Sequence, residues 1–248
     1  MSCGSGPAAN SNTAGGANAA NNSGERRTVL VELFTSEGCP NCPPADKQLA
    51  FLETQQPVSG ADVITLGYHV DYFNDRGWKD EYSDANYTKR QQLYAARLGA
   101  QSLYTPQMIV DGQTQFVGNN AAKANEVITR AISLASPQVT ASSNGNTANV
   151  SVSGLGRHMT GTAVLAIAED GLVSRPNTGS NRGKTLEHIS VVRGLVPFGK
   201  VSEQAGEFQG SVQLPTSPAW KQANVRYIIY LQEDMSGRII ASGRVKPA

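Results

Sequence analysis

The chain has 248 residues, a formal net charge of +1 and 39% hydrophobic residues, which is enough for one large domain or two ordinary ones. The near-neutral charge and the absence of a Lys/Arg run argue against a nucleic-acid partner, because replacing phosphate counterions needs clustered positive charge. No apolar stretch approaches the ~20 residues of a membrane-spanning helix, so we expect a soluble chain.

The three cysteines are Cys3, close to the N-terminus, and the C-x-x-C pair Cys39 and Cys42, which excludes a multi-disulfide scaffold. Residues 1–26 consist largely of Ser, Asn, Gly and Ala and are predicted to form a flexible tether. A cysteine followed by Gly-Ser and such a tether resembles the mature start of a bacterial lipoprotein. We therefore expect lipid on Cys3 to be the chain's direct link to a membrane. The alternative is a disordered tail with an incidental cysteine.

The first half of the remaining chain, residues 27–136, has the pattern of an α/β domain. Residues 29–34 are predicted to form a buried strand that leads into the C-x-x-C motif. A helix is predicted to follow, with Pro40 at its first position and its end before Pro57. A second strand is predicted over 62–70 and a second helix over 83–98. The further predictions are a hairpin over 107–118, with its turn at Asp111-Gly112, and a closing helix that ends at Pro137.

The second half, residues 137–248, has a different pattern. Short alternating strands separated by Asn, Gly, Ser and Pro follow one another with little helical periodicity. This pattern predicts a small, mostly-β sandwich domain that begins after residue 136.

The C-x-x-C spacing alone is compatible with half of a zinc site, a redox pair or a metal-transfer site. Structural zinc requires four ligands, yet there is no second C-x-x-C, and His69, His158 and His188 are far apart in sequence. A pair between a buried strand and the first turn of a helix favours redox chemistry, because the helix amides stabilise a thiolate. Cys39 is then the predicted nucleophile, exposed to solvent, and Cys42, one turn later and more buried, is the predicted resolving thiol.

The segment 31–46 (VELFTSEGCPNCPPAD) resembles the signature of the family of exported bacterial thioredoxin-like proteins known as domain of unknown function DUF1223. The resemblance extends through 68–72 (YHVDY), Gly77-Trp78, Asp80, 104–107 (YTPQ), 183–186 (GKTL) and 191–193 (VVR). It implies a thioredoxin fold and thiol–disulfide chemistry, without a defined substrate. The predicted fold class is therefore an α/β thioredoxin-like domain over 27–136 followed by a small, mostly-β sandwich domain.

Thr105-Pro106 directly precedes the first strand of the predicted hairpin. In a thioredoxin-like sheet, a proline at this position is held cis and faces the dithiol, while the residue before it offers backbone hydrogen bonds to a substrate. We therefore predict that Pro106 and Thr105 belong to the active site. The alternative is an ordinary proline at the start of a strand.

Four further features are candidates for the site. Glu32, on the strand that leads to the motif, is predicted either as a general acid/base or as a structurally paired buried acid. His69, at the end of the second strand, is either functional or packed between tyrosines. The loop over 71–80, with Trp78, either roofs the dithiol or packs as an ordinary loop. His188 and Arg193 are interpreted as inter-domain or turn-stabilising residues.

These features predict an exported thiol–disulfide oxidoreductase of the periplasm or cell envelope, whose redox centre is a Cys39–Cys42 disulfide and which needs no other cofactor. The expected partners are the thiols or disulfides of exported proteins, and a membrane electron-transfer protein is a further candidate. One alternative is Cu(I) handling by Cys39, Cys42 and His69. The other is a non-enzymatic binding module in which the disulfide is structural.

Overall fold

The computed structural model describes residues 1–2, 26–156, 159–202 and 206–247. Cys3, most of the predicted tether and His158 lie outside these residues. The helices are α1 (Pro43–Gln55), α2 (Ala85–Arg97) and α3 (Ala121–Ile132), and a short 3-10 turn covers Gln222–Asn224. The strands of the first half are β1 (Arg27–Thr35), β2 (Ala61–His69), β3 (Gln107–Val110) and β4 (Thr114–Val117).

The second half supplies the remaining strands. These are β5 (Gln138–Asn144), β6 (Thr147–Ser153), β7 (Gly161–Glu169), β8 (Leu172–Ser174), β9 (Leu186–His188), β10 (Val191–Val201), β11 (Glu207–Gln213), β12 (Val225–Glu233), β13 (Ile239–Arg244) and β14 (Lys246–Pro247).

Strands from both halves form one eight-stranded mixed sheet in the order β13-β12-β7-β10-β2-β1-β3-β4. β1 and β2 run parallel in a register that places Thr35 beside His69, so both strands end at the same edge. β10 joins the free side of β2, where the amide of Gly67 donates to the carbonyl of Ser190 at 2.7 Å. This junction brings β9, which ends at His188, to the edge where β1 and β2 end.

The predicted fold class, an α/β thioredoxin-like domain followed by a separate small β-sandwich, is wrong. The described chain is mostly β, and β7, β10, β12 and β13 continue the sheet that β1 to β4 begin. The predicted boundary after residue 136 falls just before β5, but it does not separate two sheets. The physical reason is visible in β7, whose apolar run is buried on both faces, as is typical of a central strand rather than of a half-exposed sandwich strand.

The helices cover the two faces of the first-half strands. α1 and α3 pack on one face, where Leu49, Leu52 and Ile128 contact the inward side chains of β1 and β2. α2 packs on the other face through Tyr87 and Tyr94. None of the described helices combines the length and apolar character that crossing a membrane requires.

A second sheet, in the order β11-β6-β5-β14, packs on the large sheet where the latter consists of second-half strands. β8 and β9 form a separate two-stranded ribbon that lies against α1. The ribbon and the β9–β10 connection therefore lie beside the segment that carries the cysteines.

Candidate functional site

Cys39 and Cys42 form a disulfide in the turn between the end of β1 and the start of α1, with their Cα atoms 5.4 Å apart. Cys42 is the N-cap residue of α1, and its carbonyl accepts the amides of Ala45 and Asp46 at 2.8 and 3.0 Å. Pro43 suits the first helical position because its ring has no amide to satisfy. The helix thus begins directly after the C-x-x-C motif, and Pro40, the predicted first helical position, lies in the turn before it.

Burial distinguishes the two cysteines from the residues between them. Cys39 is 1% exposed and Cys42 is 0% exposed, whereas Pro40 and Asn41 lie on the surface. The predicted exposure of Cys39 is therefore wrong, because distant segments of the chain pack against it. Attack by a second protein on either sulfur therefore requires local movement of the surrounding segments.

Glu37, two residues before Cys39, is the centre of a buried hydrogen-bond network. Its Oε2 accepts the indole N–H of Trp78 at 2.6 Å, its Oε1 lies 3.0 Å from Nε2 of His188, and its amide donates to Oδ2 of Asp80 at 2.9 Å. Burial acts to raise the pKa of Glu37, but the hydrogen bonds, first of all the one from His188, hold it below the usual value. Glu37 is therefore a buried, ionised carboxylate beside the disulfide.

His69 and Asp80 form a second buried pair next to the first, with Nδ1 of His69 2.7 Å from Oδ2 of Asp80. The ring of His69 packs edge-on against His188 at 4.9 Å between centroids, and Tyr82 packs against both rings. Burial acts to lower the pKa of His69, but the charge of Asp80 raises it above the usual value. The pairing with Asp80 therefore favours the protonated form of this imidazole.

The loop between β2 and α2 lies against the segment that precedes Cys39. A side chain built on Gly38 would begin 3.0 Å from Cβ of Phe73, which shows how closely the loop approaches. Trp78 of the same loop is half-buried and contacts Glu37 rather than standing free for a partner.

The second half also contacts the cysteine segment directly. Nδ2 of Asn181 donates to the carbonyls of Glu37 and Cys39 at 2.8 and 2.9 Å, and Nζ of Lys184 donates to Oδ1 of Asn181 at 2.9 Å. Together with His188 these contacts confirm an inter-half role for this part of the chain. Arg193 lies 3.5 Å from Glu169 and covers the ring of Tyr82, so it borders the same cluster.

Asp46 lies one helical turn after Cys42, and its Oδ1 accepts the hydroxyl of Thr35 at 2.7 Å. Burial raises its pKa above the usual value, although His188 and His69 oppose the shift. Asp46 also lines a cavity of about 230 Å³ between α1 and β9, together with Pro43, Lys47, Ala50, Thr185, Leu186 and Glu187. This carboxyl therefore lies between a solvent-facing cavity and the buried histidines.

Glu32 lies in a different environment from the one that its predicted acid/base role requires. It occupies the middle of β1, between Leu66 and Ile109 of the neighbouring strands. Its carboxylate accepts Nε of Arg90 at 2.7 Å and the hydroxyl of Tyr94. The structure therefore places Glu32 in a buried ion pair on the α2 face, outside the hydrogen-bonded set around Cys39.

The Thr105-Pro106 bond is cis, which confirms the predicted geometry of the peptide. The carbonyl of Pro106 accepts the amide of Gly118 at 2.9 Å. A Cβ atom built on Gly118 would lie 3.3 Å from Cβ of Pro106 and 3.2 Å from Cβ of Ala45. Pro106 is therefore close to the first turn of α1, which the disulfide precedes.

The copper alternative requires His69 as a third ligand beside Cys39 and Cys42. Across the described residues, no three His, Cys, Asp or Glu side chains group closely enough to hold a metal ion.

Sequence reasoning gave no role to Glu37, Asp46, Asp80 or Asn181. For the three acids a signal was present, because each flanks the motif or follows His69 in a segment rich in aromatic residues. Asn181 carried no such signal, since its contact with Cys39 spans 142 positions.

Comparison with known proteins adds a family and a fold. The model of a family described as "Protein of unknown function (DUF1223)" matches residues 30–232. A crystal structure of a protein from Agrobacterium tumefaciens is similar over 90% of this chain and 95% of its own, with 25% identity and a TM-score of 0.72. No curated protein matches the chain.

Two other solved structures align only weakly and carry no argument. A DUF3823 family protein from Bacteroides ovatus aligns over 45% of this chain and 53% of its own, at 12% identity with a TM-score of 0.28. The protein AA10A of T. fusca aligns over 53% of this chain and 62% of its own, at 13% identity with a TM-score of 0.26.

Proposed function

Because the chain belongs to the DUF1223 family, whose members are described only as proteins of unknown function, we propose its function from its own geometry. It is a thiol–disulfide oxidoreductase that acts on protein thiols or disulfides. The observation that carries the proposal is the Cys39–Cys42 disulfide directly before the first turn of α1, where the positive end of the helix dipole favours a thiolate.

The reaction proceeds in two exchange steps. The thiolate of Cys39 attacks a substrate disulfide, so that a mixed disulfide forms and one substrate sulfur leaves as a thiolate that takes up a proton. Cys42, after losing its proton, attacks the sulfur of Cys39. The intramolecular disulfide closes, the second substrate thiol leaves, and the substrate has gained two electrons from the dithiol. The reverse sequence oxidises a substrate dithiol.

The peptide before Pro106 is the element proposed to hold the substrate chain. Its amide nitrogen belongs to proline and carries no hydrogen, so it makes no ladder bond of its own, whereas the backbone of Thr105 retains a donor and an acceptor. The nearby start of α1 supports this role, because an extended substrate segment bound at Thr105 would lie beside the disulfide.

The near-complete burial of both cysteines favours a second candidate function. In this alternative the disulfide is permanently oxidised, it fixes the start of α1, and the protein is a non-enzymatic binding module. The two candidates differ in the reduction potential of the pair. Exchange-active disulfides have potentials of about −120 to −270 mV, whereas structural ones lie below about −300 mV.

Redox titration against glutathione buffers, followed by alkylation of Cys39 and Cys42 and mass spectrometry, distinguishes the candidates. A mid-range potential supports the oxidoreductase, and resistance to reduction contradicts it. Trapping of mixed disulfides identifies the substrate. Cys42→Ser should accumulate mixed disulfides on Cys39, whereas the matched double variant Cys39→Ser/Cys42→Ser should capture none.

We further propose that the protein is exported to the periplasm or cell envelope, where a disulfide of this kind persists and where its substrates and a membrane electron-transfer partner would be found. Lipid on Cys3 would hold it at the membrane. Fractionation of the native host and mass spectrometry of the N-terminal peptide test both parts. Recovery of unmodified chain from the cytoplasm would contradict them.

A further inference from the structure

We infer that Asn181 and Lys184, both from the second half of the chain, are positioning residues for Cys39, in that they fix its backbone and supply the positive charge that stabilises its thiolate. The inference rests on the proposed function. It assigns to the second half a part in the redox chemistry rather than mere support for the fold.

The first argument is the geometry of Asn181. Its side chain is buried, with 1% of the residue exposed, and both carbonyls that it binds belong to the turn that carries Cys39. The amide of Cys39 in turn donates to the carbonyl of Ser36 at 3.1 Å. Both backbone groups of Cys39 are therefore held, and one of them is held by a residue 142 positions away.

The second argument is the orientation of the Asn181 amide. Its Nδ2 is used by the two carbonyls, and its Oδ1 accepts Nζ of Lys184 at 2.9 Å. A flipped amide would place its oxygen against two carbonyl oxygens and its nitrogen against an ammonium. Lys184 therefore fixes the amide, and its ammonium lies two hydrogen bonds from the backbone of Cys39.

The third argument is electrostatic. A thiolate on Cys39 forms beside several carboxylates, which disfavour a further negative charge. Two of these are hydrogen-bonded to imidazoles, since Glu37 pairs with His188 and Asp80 with His69. The charged or titratable groups around the turn come from four parts of the chain. Glu37 belongs to the turn itself, Asp46 and Lys47 to α1, His69 and Asp80 to β2 and the loop that follows it, and Lys184 and His188 to the second half.

Lys184 differs from the two histidines of this set, each of which is paired with a carboxylate. It forms no ion pair within 4.0 Å among the described residues, whereas the charge of His69 is matched by Asp80. Its charge therefore remains available to a thiolate that appears on reduction. Because a nearby ammonium favours the thiolate, Lys184 should lower the pKa of the Cys39 thiol in the reduced protein.

The test is the pH dependence of Cys39 alkylation in the reduced protein, with the modified peptide identified by mass spectrometry. Lys184→Met should shift the midpoint upward and slow alkylation at about pH 6 by about 3- to 10-fold. Lys184→Arg keeps the charge and should react within about two-fold of the wild type. The matched control is Lys200→Met, an exposed lysine that hydrogen-bonds Thr162 and Asp234 on a different part of the sheet.

Asn181→Leu should slow the alkylation of Cys39 at least as much as Lys184→Met does. If Asn181→Leu does not fold, the result for Lys184→Met decides the test. An unchanged alkylation profile in Lys184→Met overturns the inference, even if disulfide exchange is observed. A shifted profile in a protein that performs no exchange supports the inference for Cys39 and contradicts the proposed function instead. The two failures are therefore distinguishable.

Discussion

Nε2 of His188 lies 3.0 Å from Oε1 of Glu37, although 151 positions separate the two residues in sequence. Both side chains are almost completely buried, with 2% and 0% exposure. Breaking a buried pair by removing one partner leaves an uncompensated charge in a medium that solvates it poorly. The pair therefore ties the turn before Cys39 to the second half of the chain.

From this contact we predict that His188→Ala lowers the free energy of unfolding by about 3–5 kcal/mol near neutral pH. Urea denaturation followed by circular dichroism measures the change. The control is Lys123→Ala, which breaks an exposed pair with Glu126 and should cost about 0–1 kcal/mol. A loss in His188→Ala no larger than the loss in the control would show that the buried pair does not stabilise the fold.

The two carboxylate–imidazole pairs make stability depend on pH at both ends of the range. Burial acts to raise the pKa of Asp80, but His69 holds it below 3.8. Glu37 is likewise held below 4.5. Carboxyls with lowered pKa values in the folded state contribute stability that is present above their unfolded values and is lost as the pH falls through the folded ones.

The imidazole acts in the opposite direction. The pKa of His69 is raised above 6.5 in the folded protein, so its contribution is fully present below 6.5 and is lost as the pH rises through the folded value. We therefore predict that the free energy of unfolding, measured by urea denaturation from about pH 3 to about pH 9, is largest between the pKa values of the two carboxyls and the pKa of His69. His69→Gln should reduce the loss of stability at alkaline pH, and Asp80→Asn should reduce the loss at acidic pH. If the free energy of unfolding depends on pH as steeply in these variants as in the wild type, the assignment of the pH dependence to His69 and Asp80 is refuted.

Much of the first half could be predicted from sequence because its signals are local. The predicted strand at residues 29–34 corresponds to β1, the predicted hairpin matches β3 and β4 within one residue, and the helix over 83–98 corresponds to α2. Apolar periodicity and Asp-Gly at the hairpin turn each act over a few residues. The start of α1 was predicted less accurately, because Pro40 lies in the turn before the helix. The cysteine pair and the cis bond before Pro106 were predicted on similarly local grounds.

The join between the halves could not be predicted in this way. β10 pairs with β2 at Val191 and Gly67, and which edge a distant strand joins is decided by burial in the folded chain. One signal was misread: residues 163–168 (AVLAIA) are continuously apolar, which is typical of a strand covered on both faces rather than of an outer sandwich strand. The network around Glu37 was missed for the same reason, because its partners come from three separated segments.

Asp46 offers a third prediction, on a carboxyl that has no cationic partner within 4.0 Å among the described residues. Burial raises its pKa in the folded state, so its contribution to stability is present below the unfolded value of 3.8 and is lost as the pH rises through the folded one. Asp46→Asn keeps an acceptor for the hydroxyl of Thr35 and does not ionise. We expect this variant to exceed the wild type in stability at about pH 8 and to match it at about pH 3.

Thermal unfolding at the two pH values measures this difference. The control is Asp75→Asn, at an exposed position, which should leave the stability unchanged at both pH values. Asp46→Asn that is less stable than the wild type at about pH 8 would show that the ionised carboxylate stabilises the site, contrary to the burial argument.

The last prediction separates a structural role from a catalytic one for Glu32. Its carboxylate is 1% exposed and is held by Arg90, whose guanidinium lies within 5.4 Å of the ring centres of Tyr68, Tyr94 and Tyr230. Glu32→Gln retains a neutral acceptor but leaves the buried guanidinium without its counter-charge. We expect the free energy of unfolding to fall by up to about 3 kcal/mol, less than a full loss of the partner would cost.

The alkylation rate of Cys39 and the rate of disulfide exchange should both stay within about two-fold of the wild type, because Glu32 lies outside the hydrogen-bonded set around Cys39. Glu126→Gln, on the exposed face of α3, is the matched control and should change neither stability nor rate appreciably. If Glu32 moves the proton of Cys42, the opposite pattern appears: exchange slows several-fold while the stability is nearly unchanged. Urea unfolding and exchange kinetics on the same preparation therefore decide between the ion pair and the acid/base role.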